Sequence, residues 1–279
     1  MSKEKIINDI SLKNPDFLKY IDSIEIVNEI PYIIINKQNK SKIEDNIDEL
    51  GQYVTNAKII YEENKYNKSY KVVAVVSGKG GVGKTTVSIL YALYLKHLGY
   101  KVGILDADFT GPSITDMLDE NDSGISVLSI ASFVEEDQAI MLRGPMLSKT
   151  LNQFLSHKKW NGLDYLIIDT PPSTSDIHIN LMQTNKIDFA LLVSTNQNVA
   201  VSNTKRTYNM IKKFNVNILG AFLNMKDAYD FSKEFENFTN KNDIEIIGTL
   251  GFDKKLAKMM DNKSIHLISS EYLNKIFMQ

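Results

Sequence analysis

The chain has 279 residues, 43% of them hydrophobic, enough to bury a sizeable core in one large or two unequal domains. Its 32 basic and 34 acidic residues nearly balance, leaving no cationic footprint for nucleic acid, and the absence of cysteine excludes disulfides and every thiolate that could hold a soft metal. No apolar run reaches membrane-spanning length and Met1–Lys5 opens without a signal-peptide core, so a soluble, cytoplasmic protein with no membrane partner is expected.

In chain order, residues 1–64 read as a small α/β domain. Strands are expected at Ile24–Asn28, Tyr32–Asn36 and Ala57–Tyr61, with Ser41 capping a helix from Lys42 to Tyr53. The polar stretch Glu62–Lys68 reads as a linker into a second domain, 65–279.

That domain begins with Lys71–Val76, a β-branched run of the kind buried on both faces in a parallel sheet. Ser77-Gly78-Lys79-Gly80-Gly81-Val82-Gly83-Lys84-Thr85-Thr86 follows. Gly78, four residues, then Gly83-Lys84-Thr85 satisfy the phosphate-loop pattern, whose backbone amides converge on phosphate oxygens. In such a loop Lys84 reaches the β- and γ-phosphates and the Thr85 hydroxyl ligates Mg²⁺. Val87, Leu90, Tyr91, Tyr94, Leu95 and Leu98 then recur at helical spacing up to Gly99, a C-terminal cap. Strand, glycine loop and helix stand in the order that aims a helix N-terminus at an anion.

Further strands are expected at Val102–Leu105, Tyr165–Ile168, Phe189–Val193, Ile218–Leu223 and Ile244–Gly248. The fold class is therefore α/β, a mostly parallel doubly wound sheet with its ligand off the carboxyl ends of the strands. Asp169 follows one of those runs and can reach a Mg²⁺ shell through water. Asp106 and Asp108 end another. Spaced by two, they share a direction if extended geometry persists, Asp106 steadying the metal shell and Asp108 meeting the attacking water. The alternative for Asp108 is to cap the turn with Thr110 and Gly111.

Lys79–Thr86 resembles the deviant Walker A motif of the MinD/ParA/nitrogenase-iron-protein class. Asp106-Ala107-Asp108-Phe109-Thr110-Gly111-Pro112-Ser113, Arg143-Gly144-Pro145-Met146, Gln153-Phe154-Leu155 and the run from Asp164 to Asp176 narrow this to the Mrp family of iron–sulfur cluster carrier ATPases, over about residues 70 to 270. The resemblance implies an ATP- and Mg²⁺-dependent hydrolase, slow without a partner and acting as a nucleotide-sandwich homodimer, with iron–sulfur scaffolds or client apoproteins as partners. It places Lys79 as a signature lysine crossing to the partner's phosphates, and Asn224 as the amide that reads adenine, whereas by residue type alone these are a solvated loop lysine and a turn-forming asparagine. It makes Asp106–Ser113 and Asp169–Asp176 two switches released on loss of the γ-phosphate, Ser173 standing where many relatives have glycine.

One departure is chemical. Cluster-bridging members carry Cys-x-x-Cys after this asparagine, but the segment here is Lys226-Asp227-Ala228-Tyr229-Asp230-Phe231-Ser232. All-thiolate cluster binding by this chain alone is excluded, and His97, His157, His178 and His266 show no ligand spacing. The N-terminal unit resembles the short domain found on many Mrp proteins in architecture only. Two other readings stay open: a MinD/ParA-like regulatory or positioning ATPase, and a nucleotide-binding module without turnover. A MinD-like membrane helix would need more apolar area and charge than Tyr272–Met278 carries, so that segment is read as a last helix packed on the domain.

Overall fold

The computed structural model describes residues 3–13, 21–27, 30–36, 58–62, 70–108, 114–129, 145–171, 176–183, 186–229 and 231–277. The expected helix from Lys42 to Tyr53, and parts of both switch segments, lie outside them. The chain divides into two compact units, Met1–Asn67 and Lys68–Gln279.

In the first unit, helix α1 (Lys3–Lys13) precedes strands β1 (Ile21–Val27), β2 (Ile30–Asn36) and β3 (Lys58–Glu62). β1 pairs antiparallel with β2, and β2 parallel with β3. Ile33 and Ile35 alternate onto one buried face with Ile24, and Ile6 and Ile10, four apart on α1, are also buried. The sequence reading did not anticipate α1, although that spacing was its signal.

The second unit is built on a seven-stranded sheet whose described pairings are all parallel: β4 (Lys71–Ser77), β5 (Val102–Asp106), β6 (Ser126–Ser129), β7 (Tyr165–Asp169), β8 (Phe189–Ser194), β9 (Asn217–Leu223) and β10 (Ile246–Thr249), in the order β10-β9-β8-β4-β7-β5-β6. β4 lies at the centre, and successive residues alternate between two cores. Val72, Ala74 and Val76 pack into the core that takes Val201 and Ile211 of α5 (Asn198–Lys213) and Phe235 and Phe238 of α6 (Glu234–Lys241). The same core includes Leu151 and Phe154 of α3 (Pro145–Leu155) and Leu181 and Met182 of α4 (Asp176–Gln183). Val73 and Val75 pack on the other face, against Val87 and Leu90 of α2 (Lys84–His97), Leu256 and Met260 of α7 (Lys254–Asp261), and Leu273 and Phe277 of α8 (Ser270–Phe277). Burial on both faces explains why these strands read as unbroken apolar runs.

Strand order positions the site. With β4 flanked by β7 and β8, the loop after β4 emerges beside the carboxyl end of β7, where Asp169 pairs in register with Val75 on one side and Asp106 on the other. The expected C-terminal cap of α2 is present as Gly99, with φ 92° and its amide donating to Lys96 O at 2.9 Å.

Candidate functional site

The loop after β4 is shaped by its contacts as well as by its glycines. Gly81 and Gly83 take left-handed φ values of 78° and 83°. Gly78 lies flush on α5, where an added Cβ would come within 2.2 Å of the Asn203 carbonyl carbon, and a Cβ on Gly83 would meet Asn224 Nδ2 at 2.1 Å. Gly83 also starts α2 without any side-chain cap, so the first-turn amides have no side-chain acceptor and suit an anion. Val82 is buried, Gly80 exposed and Thr86 half-buried.

From this loop, Lys84 and Thr85 turn to the end of β7. Lys84 Nζ donates to Asp169 Oδ1 at 2.6 Å and Thr85 Oγ1 to Asp169 Oδ2 at 2.7 Å. Ser88, one helical turn beyond Lys84, donates to Asp169 Oδ1 at 2.9 Å. The sequence reading had not named Ser88, although the four-residue spacing on α2 was available. The ion pair is buried, with 8% and 1% of its side chains exposed.

Asp106 is fully buried, its Oδ1 accepting from the Asp108 amide at 3.1 Å and its Oδ2 from the Ile114 amide at 3.4 Å. The carboxylate therefore ties the described start of the first switch to Ile114, the residue that follows the switch. The same bond ends the strand: the chain folds into an Asx-type turn at Asp108, so the extended geometry assumed for Asp106 and Asp108 stops at Asp106. Asp108 is half-buried beyond the strand end. Beside β7, Thr170 Oγ1 donates to Val75 O at 2.7 Å and lies 2.8 Å from His178 Nε2, which makes that histidine a core residue.

Lys79 is half-exposed, and its Nζ donates to Gln197 Oε1 at 3.2 Å across 118 positions of sequence, a partner that the loop pattern does not reveal. The two line an open cleft of about 610 Å³ with Val199 and Phe231, whose side chains are 62% and 82% exposed. On the other side of the loop, Asn224 is buried at the end of β9, its Nδ2 donating to Val82 O at 2.9 Å. A second cleft of about 500 Å³ opens next to it between Lys226–Asp227 and Thr249–Lys255. At its wall Asp253 caps α7 through the Lys255 and Leu256 amides and accepts from the Tyr272 hydroxyl. That hydroxyl, then the Leu256 amide, hold the Asp253 carboxyl below its ordinary range, while burial and the carboxylate push Tyr272 up.

Among the described residues no three His, Cys, Asp or Glu side chains cluster as a metal cage. What converges is a lysine, two hydroxyls and a carboxylate beneath a glycine loop.

Residues 68–278 match the family model for the NUBPL iron-transfer P-loop NTPase. The chain belongs to this family. An iron–sulfur cluster carrier protein of Rickettsia felis is 35% identical over 263 residues, spanning 89% of this chain and 78% of that protein. A nucleotide-binding protein of Archaeoglobus fulgidus, solved in complex with ADP, superposes with a TM-score of 0.59 at 30% identity, over 72% of this chain and 90% of the other. The septum site-determining protein MinD of Pyrococcus horikoshii, complexed with Mg-ADP, superposes with a TM-score of 0.57 at 20% identity, over 74% and 93%, a likeness of fold. This Mrp-family P-loop NTPase thus has the doubly wound parallel sheet that its sequence led us to expect, and among its described residues no helix is long and apolar enough to cross a membrane.

Proposed function

We propose that this chain is an ATP-hydrolysing Mrp-family protein that works as a nucleotide-sandwich homodimer in iron–sulfur protein maturation, engaging scaffold or client apoproteins without carrying a cluster on its own side chains. The observation that carries the reading is the convergence of Lys84, Thr85 and Ser88 on Asp169 directly below the glycine loop. Hard divalent cations take oxygen ligands, and oxygens are what the strand ends present. Thr85 would hold Mg²⁺ directly, with Asp169 and Asp106 reached through water. When bound, the ion neutralises charge on the β- and γ-phosphates. The donor set fits an iron–sulfur cluster poorly: such cargo needs thiolates, and the chain has no cysteine.

In this reading the loop amides and the uncapped start of α2 bind phosphate oxygens, and Lys84 divides its charge between Asp169 and the phosphates. Asp106 sets the position of Asp108 through the Asp108 amide. Asp108 accepts a proton from water as the water oxygen bonds to the γ-phosphorus and the bond to the ADP oxygen breaks. Lys79 leaves Gln197 and reaches the partner's phosphates, a cation supplied in trans that is worth about a thousand-fold or more in rate.

The test is phosphate release from Mg-ATP by the purified chain. Asp108→Ala should bind ATP and lose about a hundred-fold or more in turnover, and Lys79→Ala should lose turnover together with ATP-dependent dimerisation. Unchanged turnover in Asp108→Ala would remove that residue from the mechanism. Nucleotide binding with no hydrolysis under any condition would leave a binding module, and a stable cluster after anaerobic reconstitution would overturn the argument from ligand chemistry.

A further inference from the structure

The open cleft of about 610 Å³ on the Lys79 side of the loop sets a cation inside an apolar rim. Lys79 donates there to Gln197, a neutral amide, and among the described residues no ion pair involves it, so its charge meets no anion within the chain that carries it. Around it stand Val199, 62% exposed, and Phe231, 82% exposed, with the Tyr229 ring meeting the Phe231 ring edge-on at 6.2 Å. Both walls are fixed to the sheet. Gln197 leads from β8 into α5, and Asn196, buried beside it, accepts from the Phe235 amide at 3.2 Å through Oδ1, which ties the start of α6 to the same strand end. Apolar side chains held out to solvent on a rigid frame, and gathered about one cation, have the character of an interaction surface and not of scattered exposure.

Resting on the homodimer of the proposed function, we propose that this rim anchors the dimer: Phe231 and Val199 of one copy close on the same residues of a second copy, across a two-fold axis that runs beside Lys79. The occupant follows from charge. The anion that Lys79 lacks is the phosphate bound by the very loop to which Lys79 belongs, so a second copy of this chain brings that anion and a matching apolar rim together. Two lysines that each reach the other's loop require the axis to pass between the two loops, and residues next to such an axis meet their own counterparts. Lys233 and Glu234, exposed on the same cleft wall, carry opposite charges, so Lys233 of each copy can face Glu234 of the other and the edge is self-complementary as well. Aromatic side chains closed off from water at the centre of an interface carry much of its affinity, and Phe231 is the residue placed to do so.

The experiment is sedimentation velocity of the full chain with Mg²⁺ and a non-hydrolysable ATP analogue over a series of protein concentrations. Phe231→Ala should weaken dimerisation about thirtyfold or more, the loss of one aromatic hot spot, while ADP affinity stays unchanged, which a misfolded variant could not manage. Phe231→Leu keeps apolar bulk and should restore most of the association. Because the chain has no cysteine, Ser232→Cys supplies a single thiol beside the proposed axis. A short bismaleimide should join two copies through it in the presence of the analogue and not in its absence. A dimer that forms equally well in Phe231→Ala, or a Ser232→Cys dimer that gives no crosslink, would overturn the apolar anchor and leave the nucleotide-sandwich dimer standing. A wild-type chain that stays monomeric with the analogue would overturn both.

Discussion

Lys84 and Asp169 illustrate how binding chemistry and stability are joined in single side chains. With 8% and 1% of their side chains exposed, neither is hydrated to any extent, and each neutralises the other at 2.6 Å. Removing one member of such a pair leaves a buried charge without its counter-ion, at a cost of about 3–5 kcal/mol. Lys84→Ala should therefore lower unfolding stability by about that amount in urea denaturation without nucleotide, and Lys84→Ala/Asp169→Ala should recover part of the loss. An activity defect in Lys84→Ala then reports two things at once, and the double variant separates them. These residues were legible in the sequence because the glycine-loop spacing names the lysine and hydroxyl, and an acid ending an apolar run names Asp169. Ser88 and Gln197 were not, since their roles come from partners brought close by the fold: Ser88 meets Asp169 across 81 positions, and Gln197 stands 118 positions from Lys79.

The last helix shows what periodicity conveys and what it leaves open. Apolar spacing in Tyr272–Met278 predicted a helix, but an amphipathic face suits a membrane as well as a core. Burial decides it: Leu273, Ile276 and Phe277 are all within the second unit, the Phe277 ring stacked 4.8 Å from Tyr94 and lying 5.4 Å from Phe222 and 5.6 Å from Tyr91. Gly248 of β10 leaves room for it, since a Cβ there would come within 3.0 Å of the Phe277 ring. Phe277→Ala should cost about 3–5 kcal/mol, read as a lowered urea midpoint. β6 escaped the sequence reading for the opposite reason. Ser126–Ser129 has only two apolar residues between serines, too short for a pattern, and it is a strand because β5 supplies its partner.

Taken as a body, the second unit made its class plain through six apolar runs alternating with helical stretches, whereas the order β10-β9-β8-β4-β7-β5-β6 depends on which strands meet and is written in no local segment. Its tyrosines make stability depend on pH. The Tyr70 hydroxyl donates to Leu155 O at 2.8 Å, tying the approach to β4 to the end of α3, and burial pushes its pKa up to about 12. The folded chain thus holds a proton that the unfolded chain releases near pH 10. The sign is fixed: this contribution is complete below pH ~10 and is lost as pH rises toward about 12. Tyr91 and Tyr272 are shifted in the same direction. The urea midpoint should fall across that window, and Tyr70→Phe should flatten part of the slope. At the acid end the depressed Asp253 works in reverse, its contribution present above pH ~4 and lost as pH falls through the lower folded value.

Gly78, packed without a gap on the α5 backbone, and Gly83, filled by the Asn224 amide, have one more consequence. Both are demanded by the interior of the protein irrespective of any phosphate. A library of this loop selected for nothing but expression as folded protein would keep glycine at 78 and 83, while Gly81, with open space around its would-be Cβ, would drift toward asparagine and other residues that tolerate a left-handed backbone. Part of what is read as a nucleotide signature is inherited by this chain as a condition of folding, so a descendant that had lost its ligand would go on displaying half of the motif.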